Sequence, residues 1–163
     1  MAKTIERPKT LYDEDFYAWL RRQAELLRVR RFDELDLDNL IEEIEALGRS
    51  ERRAVESRVQ LILVHLLKLA CSPAQEPRRG WLRTVLIHRH QLHDQLTPTL
   101  RRHLAGRLSR LYAHARRLAA LELETDGIEP DQLPLHCPFS LDEILDDGWL
   151  PSNIYDADRD QGG

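Results

Sequence analysis

Apolar residues recur along most of the chain at the three- and four-residue spacing of one helix face. Phe16, Leu20, Ala24 and Leu27 share such a face. Asp13, Glu14 and Asp15 ahead of them suit the positive end of a helix dipole, so a first helix is expected from Asp13 to the Arg30-Arg31 pair. Asp36 is placed to cap a second helix whose stripe is Leu37, Leu40, Ile41, Ile44 and Leu47, with Gly48 suited to its end. Ser50 can cap a third helix carrying Val55, Val59, Ile62, Leu66 and Leu69. Positions 41, 48, 55, 62 and 69 nevertheless keep one heptad phase straight through Gly48. A single kinked helix over 36–71 is the competing reading. It would be ~54 Å long at 1.5 Å per residue, and that length favours a break at Gly48.

Pro73 and Pro77 make a loop of the segment between the third and fourth helices. The fourth helix, over about 80–96, sets Trp81, Val85, His88 and Leu92 on one face. Thr97-Pro98 reads as a cap followed by proline at the first helical position. The fifth helix then carries Leu104, Leu108, Leu111, Ala115 and Leu118, a period suited to near-parallel packing in a bundle. Asp126-Gly127 ends it, and Pro130, Pro134 and Pro138 mark an irregular connection. Ser140 and Glu143 form a capping box with Phe139 and Ile144 as its hydrophobic staple, so a short helix is expected over 140–147 with Gly148 in the left-handed position after it. The fold class that follows is all-α: a helical bundle of about five main helices plus a short capped C-terminal helix. A flexible N-terminal tail over 1–10, a single helical domain over 11–151 and a polar C-terminal tail over 152–163 complete the expected organisation.

Composition agrees with a packed helical chain. Of 163 residues, 42% are hydrophobic and 32% charged, which is globular rather than disordered. No apolar run approaches the ~18 residues of a membrane span. The first ten residues lack an apolar secretory core, and a cytoplasmic location is the expectation. The two cysteines, Cys71 and Cys137, form no CxxC or zinc-spaced cluster, and in that compartment they are expected as thiols.

Several segments together resemble an uncharacterised bacterial family, domain of unknown function 29. They are Leu11-Tyr12-Asp13-Glu14-Asp15-Phe16-Tyr17-Ala18-Trp19, then Asp36-Leu37-Asp38-Asn39-Leu40-Ile41-Glu42-Glu43-Ile44, and then Leu47-Gly48-Arg49-Ser50-Glu51-Arg52-Arg53. His65-Leu66-Leu67-Lys68, Trp81 and Cys137-Pro138-Phe139-Ser140-Leu141 continue the likeness, which covers roughly 11 to 151. The resemblance implies an all-helical bacterial domain and carries no activity, ligand or catalytic residue.

Charge is segregated along the chain. Residues 1–48 carry a net −4, residues 49–117 a net +11 and residues 118–163 a net −11. In the middle segment 14 of the 15 cations are arginines, whose planar fork suits phosphate, and Arg78, Arg79 and Arg83 could track a nucleic-acid backbone. Against this, the chain is acidic overall, and aromatics do not interleave with the arginines. Neutralisation of the basic helices by the acidic thirds is therefore favoured.

Metal chemistry finds weak candidates. His90 with His93, or His90 with Asp94, share a helix face, and a neighbouring helix would have to add His65 or Glu45. No Glu-x-x-His or His-Glu-x-x-His is present, so no metal or cofactor is assigned. Arg58, His65, Lys68 and Ser72 trace a polar strip along the third helix, which reads as a hydrogen-bonded edge of the core. Trp19, Trp81 and Trp149 read as core anchors. Glycine-rich nucleotide loops and nucleophile elbows are absent. The expectation is a cytoplasmic protein-interaction module without catalysis, binding a protein partner or itself and no membrane. Polyanion binding by 49–117 and a metal-dependent hydrolase are the alternatives.

Overall fold

The structure is a computed structural model and describes residues 10–155. It is all-α, with six helices and no strand among the described residues. The chain divides into two compact units, one ending at Ser50 and the other starting at Glu51.

The first unit opens with a single turn, α1 (Leu11–Glu14), closed by Thr10, whose N–H and hydroxyl both donate to Asp13 Oδ2. Asp15 then leaves helical geometry (φ −147°, ψ 84°), and its carboxylate accepts the Ala18 N–H at 2.9 Å to cap α2 (Phe16–Arg28). The one helix expected from Asp13 is thus two, because Asp15 serves better as a cap than as a residue inside a helix. At the far end of α2, Arg30 takes a left-handed φ of 60°. The Arg31 N–H reaches Leu26 O and the Arg30 N–H reaches Leu27 O, the two bonds of a Schellman closure formed without glycine. Trp19, Gln23 and Leu26 form the buried side of α2.

A 3-10 turn (Phe32–Glu34) leads to α3, which runs unbroken from Leu37 to Cys71. The break expected at Gly48 does not occur. The heptad phase that passes through Gly48 is kept, and the glycine simply occupies an exposed helical position. Asp36 stands where a cap was expected. Its carboxylate is held below the usual range by the Asn39 side chain and by Trp19 and the Asn39 backbone, against the opposing pull of desolvation.

In the second unit, α3 contributes Val55, Val59, Ile62, Leu66 and Leu69, all buried as expected. From α4 (Arg78–Gln95), Trp81, Val85 and Leu92 meet them. Thr97 caps α5 (Pro98–Leu123) with proline at its start. On α5, Leu104, Leu111 and Ala115 are buried, but Leu118 is 40% exposed and Ala119 and Leu123 take the core instead. A straight helix drifts ~20° per heptad against a 3.5-residue repeat, and two heptads carry Leu118 off the buried side.

A 3-10 turn after α5 closes at Gly127 with φ 77°, a conformation that favours glycine. Ser140 and Glu143 form the expected capping box of α6 (Leu141–Leu145), with Phe139 and Ile144 both buried. The helix stops at Leu145, short of the expected 147, and Gly148 is not left-handed.

Asn153, beyond the segment read as the domain, is buried and donates to Leu69 O at 2.7 Å and Ser72 O at 2.8 Å. The Ile154 N–H takes Ala70 O at 2.9 Å. The orphan carbonyls at the end of α3 are thereby satisfied by chain 81–84 residues away. Of the tails expected over 1–10 and 152–163, residues 1–9 and 156–163 lie outside the described residues.

Candidate functional site

Three groups of side chains are candidates, one in the first unit and two in the second. In the first unit, the side of α3 expected to pack lies open: Leu37, Ile41, Ile44 and Leu47 are 54%, 54%, 64% and 66% exposed. On a 100° wheel Glu45 and Asp38 border Ile41 on one side. Helix α2 shows a parallel feature. Phe16, Tyr17, Leu20 and Leu27 are exposed, with Arg21 and Arg28 along their border. An open groove of about 760 Å³ along α2 has Arg21, Arg22, Arg28 and Arg31 on its walls beside Val29. The rings of Tyr12, Phe16 and Trp19 cluster with centroids 4.9–5.7 Å apart. The Tyr12 hydroxyl donates to Glu43 at 2.5 Å, and that bond to a carboxylate, with some burial, raises its pKa to about 12.

In the second unit the polar strip of α3 is a hydrogen-bonded seam. Arg58 donates to Gln91 and Gln95, and Ser72 to Asp126 at 2.6 Å. Lys68 meets Glu122 at 2.5 Å with its ammonium 4.7 Å above the Trp81 ring. His65, on the same strip, is half-buried, and its Nδ1 and that of His88 are enclosed without a hydrogen-bond partner. Burial, and then the Lys68 charge, push the His65 pKa down; Glu122 opposes this and His88 adds to it. The candidate metal ligands do not assemble. His90, His93 and Asp94 are exposed, and His93 faces Asp147 at 3.3 Å. No three His, Cys, Asp or Glu side chains among the described residues could hold a metal. Cys71 and Cys137 are free thiols, both with pKa raised chiefly by burial.

The arginines divide into two classes. Some are turned inward onto main-chain oxygens. Arg78 donates to Leu69 O at 3.0 Å, which draws one of the three expected polyanion contacts onto the end of α3. Arg116 takes the carbonyls of Pro130, Leu133 and Pro134. Arg89 is fully buried and donates to Ile144 O, Glu143 O and Trp149 O at 2.9, 3.0 and 2.9 Å, closing the open end of α6. Arg101 pairs with Asp142 of the acidic third. Others face solvent. Arg79 and Arg83 are exposed and meet no carboxylate among the described residues, and the same holds for Arg110 and Arg117 of α5. Arg110 and Arg117 line a recess of about 270 Å³ between α5 and α3. Its one carboxylate, Glu56, is shared by His103 at 2.7 Å and Arg107 at 2.6 Å. Neutralisation by the acidic thirds is therefore partial.

The model of the family described as Domain of unknown function DUF29 matches residues 11–150. The chain belongs to the DUF29 family. No curated protein and no solved structure matches it. The matched segment of this DUF29 chain holds all six helices. Two features of the DUF29 domain escaped the sequence reading. Arg89 gave no sign of burial, because a lone arginine in a helix reads as exposed. The α5 recess did leave a signal: His103, Arg107, Arg110, His114 and Arg117 repeat at four- and three-residue intervals. Among the described residues of this DUF29 domain, no helix is long and apolar enough to cross a membrane.

Proposed function

We propose that this chain is a non-catalytic protein-interaction module of the bacterial cytoplasm, and that it pairs with a second copy of itself through the unit ending at Ser50. The observation that carries this reading is the open apolar side of α3. Single exposed leucines are ordinary, but Leu37, Ile41, Ile44 and Leu47 lie on successive turns and more than half of each is in water. Two free thiols suit a reducing compartment.

Charge selects a second copy as the occupant. The apolar strip of α3 is edged by Asp38 and Glu45, and that of α2 by Arg21 and Arg28. A two-fold pairing that lays α2 of one copy on α3 of the other joins apolar to apolar and arginine to carboxylate, twice. Packing α3 on α3 would set carboxylates against carboxylates.

Sedimentation equilibrium tests the reading. Wild-type protein is expected to dimerise with a dissociation constant in the micromolar range, about −8 kcal/mol. Ile41→Asp with Ile44→Asp, both at exposed positions, is expected to leave a folded monomer. A wild-type chain that remains monomeric at ~100 µM would overturn the proposal; so would a double variant that dimerises unchanged.

A further inference from the structure

Two unpaired cations of the second unit, Arg110 and Arg117, share one side of α5 with His103, Arg107 and His114. From His103 to Arg117 the basic side chains follow one line, ~21 Å long at 1.5 Å per residue. The line borders the recess against α3, whose opposite wall is Glu56 and Gln60. Glu56 is already engaged by His103 and Arg107. Even so, the buried Arg107 Nε makes no hydrogen bond, since its N–H does not align with the Glu56 oxygen 2.6 Å away. Further along, Arg110 and Arg117 stand two helical turns apart with no carboxylate among the described residues, and Gln60 makes no hydrogen bond among them. Three guanidinium groups and one engaged carboxylate leave a concave surface with surplus positive charge and unused donors.

We propose that this recess binds a small phosphate ester, with Arg110 and Arg117 as the clamp, Arg107 as a third donor and Gln60 as a polar contact for the rest of the ligand. A phosphate group carries nearly two negative charges and three strong acceptor oxygens, which uses a set of arginine forks that a single carboxylate would leave half-filled. The volume, about 270 Å³, lies just under the ~300 Å³ at which ligand pockets usually begin, which limits the occupant to a small ester. A nucleic-acid strand offers the same phosphate chemistry. The recess is a poorer match to a strand, because the chain carries a net −4 and Tyr112, the aromatic residue of α5, is buried and so offers no stacking surface.

The test is a titration with sodium pyrophosphate at neutral pH and constant ionic strength, followed by the ¹⁵N resonances of the arginine Nε–H groups and by calorimetry. One saturable site is expected, perturbing Arg107, Arg110 and Arg117. Arg110→Ala with Arg117→Ala should weaken binding about tenfold or more, the size of losing charged hydrogen bonds to phosphate. Arg79→Ala with Arg83→Ala removes the same charge elsewhere and should change affinity less than about twofold, which separates a site from net charge. All four side chains stand at helix surfaces, and circular dichroism checks that both variants remain folded. No saturation below ~10 mM pyrophosphate would overturn the proposal, since binding weaker than that is barely selective. An equal response to sodium chloride, equal losses in the two double variants, or succinate binding as tightly as pyrophosphate would overturn it too. A short single-stranded oligonucleotide that displaces pyrophosphate, with affinity falling steeply with salt, would keep the arginines but replace the small ester with a nucleic-acid backbone.

Discussion

Arg89 illustrates how a charge can be buried without an ionic partner. Its guanidinium is fully enclosed and three of its N–H groups end on main-chain oxygens. Desolvation pulls its pKa down while Asp147 and Asp146 oppose the shift. Truncation to alanine would orphan three acceptors and leave a void, so Arg89→Ala should cost about 3 kcal/mol or more, read from the urea midpoint at unchanged slope. A loss under ~1 kcal/mol would mean water can serve those carbonyls. His65 makes a different prediction. Its folded pKa lies below the ordinary value of about 6.5, so the unfolded chain binds the proton more readily. The contribution of neutral His65 is complete above about pH 6.5 and is lost as pH falls through the lower, folded value. The melting temperature should therefore drop between about pH 7.5 and pH 5, and His65→Gln should flatten that slope. Equal slopes in the two proteins would show that the proton is taken up elsewhere.

At the scale of elements, what could be read from the sequence depended on how local the deciding interaction is. Thr97 before Pro98, and Ser140 with Glu143, specify helix starts within four residues, and both starts are as expected. Asp15 stands where the pattern predicts a first-turn acid and is instead a cap, a choice settled by its own backbone dihedrals. Gly48 suits a helix stop, yet the cost of glycine inside a helix, roughly 1 kcal/mol, is small beside the hydrogen bonds a break would forfeit. The α5 stripe failed at Leu118 because the helix is straighter than a strict heptad. The continuity of α3 carries its own test. A Cβ at Gly48 would meet nothing within 4 Å, so Gly48→Ala should stabilise the protein by about 0.5–1 kcal/mol. Destabilisation by the same substitution would argue for a bend or an opening there. Gly127, at φ 77°, should respond in the opposite direction.

Over the whole molecule, the sequence foretold the separation of charge but not where each charge is spent. Residues 49–117 carry a net +11, but in the fold Arg78, Arg89 and Arg116 are committed to carbonyls while Arg110 and Arg117 are not. The open side of α3 was equally hidden, because an apolar stripe looks the same whether the chain covers it or a partner does. The two proposed surfaces use different physics, and that makes them separable. Pairing through α2 and α3 is mainly apolar with an ionic border, so raising salt from about 50 to 500 mM should weaken dimerisation only a few-fold, because screening acts on exposed charges and not on buried apolar area. Anion binding at α5 rests on charge, and the same change should weaken it by more than tenfold. Ile41→Asp with Ile44→Asp should abolish pairing and leave pyrophosphate affinity within about twofold, while Arg110→Ala with Arg117→Ala should do the reverse, since substitutions that share no partner residue behave additively. Parallel sedimentation and calorimetry on the two double variants would decide it. If either variant loses both properties, the surfaces are one site, and a single ligand-dependent assembly would have to replace the two separate readings.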